Sequence, residues 1–263
     1  MRLIPVLIPT LIVVALAAPV AAAEMATVLA GPQRSAANRA RDQYRHPAET
    51  LAFFGLKPTM TVVEITPSGG WYSEILAPLL RDQGHYIAAG SNPGSVNGAK
   101  AVAQFKAKLD ADPGSYAKVA STVFARGQYA IATPGSADMV VTFRNIHNWY
   151  MGGFAPDAFK AFYAALKPGG VLGIEEHRLP EDKPDALQQT SGYMKVSTVK
   201  ALAAAAGFNF VAASEVNANA KDGHDYPKGV WTLPPTFEEG DHDRAKYAAI
   251  GESDRMTLKF VKP

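Results

Sequence analysis

MTVVEITPSGGWYSEILAPLL, residues 60–80, is the stretch on which the reading of this chain turns. Residues 60–65 are a short, mostly apolar run rich in β-branched side chains, a strand signal, and they carry one acid, Glu64. Thr66-Pro67-Ser68-Gly69-Gly70 breaks the run with turn residues. Beyond it Trp71, Ile75, Leu76 and Leu79 recur at helical spacing. Strand, tight glycine turn and helix together present backbone N–H groups and a helix N-terminus at the carboxyl end of a strand. That is where α/β sheets of the Rossmann type bind small ligands. Glu64 can accept hydrogen bonds from a cationic or hydroxyl-bearing ligand, although such turns also occur in sheets that bind nothing there.

Upstream, residues 1–23 have the pattern of an export signal. Arg2 is a basic start, residues 3–20 are almost wholly apolar, and Ala21-Ala22-Ala23 offers small residues before a cut at Glu24. Pro5, Pro9 and Pro19 make the stretch a poor membrane span, with an uncleaved tether as the alternative. The expected location is periplasmic or secreted, with no membrane anchor after cleavage. The chain has no cysteine, which excludes disulfides and a lipidated cysteine. About 240 residues remain, enough for one α/β domain with a full core. A net charge of +2 indicates no polyanionic partner, and no basic run interleaves with aromatics, so a nucleic-acid partner is not expected.

Residues 24–50 read as an N-terminal helical leader: a loose lead-in over 24–31, a helix over 34–44, and a second beginning at Pro47. The domain follows over 51–263, with an insertion at about 217–254. After the organising strand and helix, strands are expected at 85–89, 117–124, 138–143, 171–174, 208–216 and 256–261. Helices are expected at 96–109, 155–166 and 196–206. Strands that alternate with helices and are apolar throughout predict a mainly parallel sheet with helices on both faces.

These residues resemble the class I S-adenosylmethionine-dependent methyltransferases. The likeness rests on the strand–acid–turn at 62–70, the strand at 137–143 with its polar tail, and LKPGG before a strand at 166–172. AAGF at 205–208 and a last strand reached after a long insertion add to it. The phrases EITPSGGWYSEILAP, FRNIHNW and GESDRMTLKF resemble a methyltransferase subfamily whose members are often exported. The resemblance implies a Rossmann-like, seven-stranded sheet in the order 3-2-1-4-5-7-6, the last strand antiparallel, with S-adenosylmethionine bound at the strand carboxyl ends. The family turn is an acid followed by three alternating glycines. Here Glu64 keeps the acid and Gly70 the third glycine, while Thr66 and Ser68 stand at the first two places. The family's ribose-binding acid after the second strand is replaced by Ala89-Gly90-Ser91-Asn92, leaving Asn92 as a weaker substitute. The acid that often contacts adenine is also missing; Phe124-Ala125-Arg126 stands there.

The cofactor-binding candidates are therefore Glu64, Thr66, Ser68, Gly69, Gly70, Asn92 and Arg144, and the catalytic candidates Asn145, His147 and Glu176. Arg144, Asn145, His147 and Trp149 follow the fourth strand, where methyltransferases place substrate-facing groups. A histidine there can take a proton from a nucleophile, or the group can simply pin the loop and fill the core. Glu175, Glu176, His177 and Arg178 follow the fifth strand; a carboxylate there holds an amine, orients His147, or closes a salt-bridged strand end. Asp222, His224 and Asp225 could join His147 and His177 around a metal, but nothing is spaced like HExxH or an EF-hand. The insertion reads instead as a Gly/Pro-rich loop with solvated tips, and no metal is assigned. Ser191, Ser197 and Ser214 lack the GxSxG elbow of serine hydrolases. Two functions remain: a methyltransferase-like enzyme acting on a small molecule, or an exported protein of that fold that no longer methylates and binds another ligand.

Overall fold

Alternation along two central strands divides the core between the two faces of one sheet. The computed structural model describes residues 18–263, so most of the expected export signal over residues 1–23 lies outside the described residues. The strands are β1 (Thr61–Ile65), β2 (His85–Gly90), β3 (Ala120–Val123), β4 (Ala137–Phe143), β5 (Leu166–Leu179), β6 (Met194–Lys195), β7 (Asn209–Ser214) and β8 (Arg255–Val261). The helices are α1 (Ala18–Ala30), α2 (Ala36–Arg39), α3 (Asp42–Arg45), α4 (Pro47–Phe54), α5 (Ser73–Leu80), α6 (Val96–Ala111) and α7 (Pro113–Tyr116). They continue with α8 (Ile146–Met151), α9 (Ala155–Ala165), α10 (Val196–Ala205) and α11 (Arg244–Ile250). Val63 and Val140 face one core with Phe159, Phe162 and Leu172, under α9 and α10. Their neighbours Val62, Met139 and Val141 face the other, with Leu51, Phe54, Ile75 and Leu76 of α4 and α5. Each such side chain contributes about 1.5–3 kcal/mol when fully buried.

The sheet order is β3-β2-β1-β4-β5-β8-β7, with β8 antiparallel to both its neighbours. This is the order the resemblance implies, with one strand added: two-residue β6 pairs with the end of β5 off the main path. Gly173 shows how closely α4 sits on β5, since a Cβ there would meet the Phe54 ring at 2.7 Å.

Three local expectations are corrected. Residues 24–30 are not a loose lead-in but part of α1, because Met25, Val28 and Leu29 pack on the core beside α5. Residues 34–44 are not one helix: Ser35 caps the single turn of α2, and Asn38 is drawn off to Glu74 at 2.8 Å before α3 begins. β5 is not confined to 171–174: it begins at Leu166, so LKPGG lies within the strand across an irregularity in its pairing with β4 rather than in a turn before it, and the strand runs on past 174. Its pairing with β8 continues through Glu175↔Thr257, Glu176↔Met256 and His177↔Arg255, so these polar residues are strand, held at fixed register.

Candidate functional site

The turn after β1 holds a left-handed backbone at alternate residues: φ is 53° at Thr66, 52° at Ser68 and 74° at Gly70. These are the three places where the family pattern has glycine. Only the last is glycine here, and each L-residue held in that region costs roughly 1–2 kcal/mol. Thr66 N–H donates to Ala89 O at 2.8 Å, and Gly70 N–H to Pro67 O at 2.8 Å, which fixes the shape. Ser68 and Gly69 are exposed, and a Cβ on Gly69 would meet nothing within 4 Å. Glu64 lies beneath the turn, fully enclosed. One of its oxygens accepts from the Tyr86 and Ser73 hydroxyls, and burial pushes its carboxyl up to about 7. Asn92 is half-buried in the loop after β2, its Oδ1 accepting from Gly94 N–H at 2.8 Å.

Beyond β4 the chain turns sharply at Arg144, φ 60°, and enters α8. Asn145 is buried and donates from Nδ2 to Ile65 O and Phe143 O, both at 3.2 Å, tying the ends of β1 and β4 together. Glu176, on neighbouring β5, accepts the N–H groups of Ile146 and His147 at one oxygen, capping α8 from outside the helix. Its other oxygen lies 2.9 Å from His147 Nδ1. His177 Nδ1 lies 2.6 Å from Ser253 Oγ, and the two imidazole rings are 5.3 Å apart. Among the described residues, no hydrogen bond reaches Nε2 of either ring. Burial, with His147 and nearby arginines, pushes the His177 imidazole well below its usual range, so it is neutral.

Arg144, Asn145, His147, His177 and Ser253, but not Glu176, line a polar cavity of about 280 Å³ with Arg45, Ser68, Asn148 and Glu252. Val230, Trp231, Pro234 and Pro235 from the insertion complete its wall, the Trp231 ring edge-on to His147 at 5.9 Å. A second, mainly apolar cleft of about 510 Å³ runs beneath α6. Only its upper end, at Pro67, Ser68, Gly90, Ser91, Pro93 and Val123, reaches the strand carboxyl ends. Ser68 lines both spaces.

One ligand atom from each of His147, Glu176 and His177 lies within 4.8 Å of the others. Both Glu176 oxygens are already taken by N–H groups, and three arginines bear on His177, so the trio fits an oriented histidine better than a cation site. Asp222, His224 and Asp225 do not join it. Asp225 is exposed, and Asp222 is no solvated tip: it is buried, accepting from Tyr193 Oη and Asp254 N–H.

No protein-family model matches the chain, and no curated protein matches it. Solved structures do. A SAM-dependent methyltransferase from Aquifex aeolicus superposes with a TM-score of 0.58 at 14% identity, over 85% of this chain and 93% of that one. The [4+2]-cyclase SpnF gives 0.60 at 17% identity, over 89% and 85%. Phosphoethanolamine N-methyltransferase 2 of Haemonchus contortus, in complex with S-adenosyl-L-methionine, gives 0.52 at 17%, over 84% and 53%. The chain has the class I S-adenosylmethionine-dependent methyltransferase fold. Within it, the neighbour named as a cyclase shows that the methyltransferase fold does not by itself fix the reaction.

Several residues of the polar cavity were not singled out from sequence: Arg45, Trp231, Glu252 and Ser253. Glu252 and Ser253 fall within GESDRM, whose polar run just before the last strand was the available signal. Arg45 had none, because its partner Glu252 lies 207 residues away.

Proposed function

We propose that the chain is an S-adenosylmethionine-dependent methyltransferase-like enzyme acting on a small molecule. The observation that carries this reading is the left-handed backbone at Thr66 and Ser68, a strained shape kept without the glycines that make it cheap. Strain of this kind is held by the surrounding structure and clusters at ligand sites. Thr66, Ser68, Gly69 and Gly70 would hold the cofactor, with Asn92 on its ribose side, Arg144 on its other side and Glu64 supporting the turn from below. When bound, S-adenosylmethionine supplies an electrophilic methyl group. Asn145 fixes the relative position of β1 and β4. Glu176 orients His147 through Nδ1, so that Nε2 accepts a proton from a nucleophile in the polar cavity. A compact cavity of this size suits a small metabolite.

Ultraviolet crosslinking with methyl-labelled S-adenosylmethionine, followed by peptide mapping, tests the assignment. Label in the peptides spanning 64–70, 90–92 or 143–147 is expected; label confined elsewhere contradicts it. Export belongs to the same proposal, and mass spectrometry of protein from the native envelope should find Glu24 at the mature N-terminus. An intact Met1 chain in the cytoplasm would refute export.

A second reading, an exported protein that binds another ligand without methylating, is favoured by the end of β2. It carries no carboxylate, and Asn92 Oδ1 is turned onto Gly94.

A further inference from the structure

Four guanidinium groups converge on two carboxylates at one end of the sheet. Arg255, 1% exposed, bridges Glu175 at 2.9 Å and Glu252. Arg41 donates to Glu252 at 2.6 Å, Arg45 to Glu252 at 3.1 Å, and Arg144 to Glu175 at 2.8 Å. A third acid nearby, Glu176, is spent on backbone N–H groups and His147. Counted against all three acids, the four guanidinium groups leave one positive charge over in a largely buried cluster, where unpaired charge is costly.

We infer that the 280 Å³ cavity is a recognition site for a compact oxyanion, a carboxylate, sulfate or phosphate group, held by Arg45 and Arg144. These two arginines line the cavity. Among the described residues, Arg45 uses only Nε, leaving both terminal nitrogens without a hydrogen bond, and Arg144 uses only one terminal nitrogen. Free guanidinium forks match the two oxygens of such an anion. Arg45 is stacked over Trp71 at 4.7 Å, which fixes its plane. Burial first, then the charge of the adjacent Arg144, push the Arg45 guanidinium down to about 9, with Arg255 and Arg41 adding to that positive field and Glu252 opposing it. An anion between the two would complete the charge balance. A divalent metal on His147 and His177 would be repelled by the same field, so the electrostatics favour the anion.

Both the substrate and the amino-acid end of the cofactor can supply this group; only the naming of those two sources rests on the functional proposal above. The test is calorimetric titration with sodium sulfate, replacing chloride at constant ionic strength, against the unaltered protein, Arg144→Gln and Arg45→Gln. One-to-one sulfate binding that weakens at least tenfold in both variants is expected. Arg144→Lys, which keeps the charge and loses the fork, should fall between them, and it serves if a glutamine variant does not fold. Sulfate that binds no better than chloride, or equally in every folded variant, overturns the site. Repeating the titration with S-adenosylhomocysteine present separates the sources. Simultaneous binding assigns the anion to the substrate, and mutual exclusion assigns it to the cofactor. If S-adenosylhomocysteine does not bind at all while sulfate does, the cofactor reading fails and the anion site stands.

Discussion

Replacing Ser68 by glycine should stabilise this protein. Its φ of 52° costs an L-residue roughly 1–2 kcal/mol. Glycine removes that cost but gives the unfolded chain more freedom, a loss of roughly 0.5–1 kcal/mol. Little else changes, because Ser68 is exposed and its one hydrogen bond, Oγ to Thr66 O, is long at 3.4 Å. The net gain is about 0.5–1 kcal/mol, or a rise of about 1–4 °C in Tm for a domain of this size. Urea melts of the unaltered protein, Ser68→Gly and Ser68→Ala measure it. Alanine keeps the steric penalty, so it should show none of the gain, and Ser68→Asn should fall between because asparagine tolerates this region. Equal stability of the alanine and glycine variants would refute the strain argument. So would a destabilised glycine variant with an unchanged m-value.

Two further outcomes follow from buried acids. Burial raises the Glu64 carboxyl to about 7 in the folded protein, from an ordinary value of 4.5. Folding therefore favours its protonated form, and its contribution to stability is lost as pH rises from about 4.5 to 7. The loss is of order 2–3 kcal/mol, so Glu64→Gln should flatten the stability profile over that window, and an unchanged slope would show that Glu64 does not titrate there. Glu252 behaves in the opposite sense. Burial pushes it up, but Arg255, Arg45, Arg144 and Arg41 outweigh that and hold it at about 2, so stability should be lost as pH falls from about 4.5 through 2. Glu252→Gln, measured by denaturant melts at pH 7, should cost roughly 3–5 kcal/mol because it leaves arginines unpaired; a cost below 1 kcal/mol would show that the cluster tolerates the loss.

LKPGG at 166–170 reads as a turn but forms the start of β5, whereas the strand–turn–helix at 60–80 was legible because its signals are local: periodicity, β-branching and turn residues. So was sheet order, once those signals pointed to the methyltransferase scaffold. α8 was not, since NIHNWY is short and its cap comes from Glu176, 30 residues away. The strand character of Glu175, Glu176 and His177 was hidden for a similar reason: the pairing that holds them is supplied by β8, far along the chain. The turn showed the reverse case, with its residues legible and its backbone not. Thr66 and Ser68 suggested a lost glycine geometry, and tertiary contacts kept it.

The measurement that tests the central claim most directly is calorimetric titration of the protein with S-adenosylmethionine and S-adenosylhomocysteine, beside Asn92→Asp. A carboxylate accepts from both ribose hydroxyls with charge-assisted bonds, roughly twice as strong as those of a neutral amide. Its absence should cost about 1–3 kcal/mol, one to two decades of affinity. One-to-one binding in about the high micromolar range is predicted for the unaltered protein, tightening by about tenfold or more in Asn92→Asp. Binding by neither form would contradict the account and leave the non-methylating reading in its place.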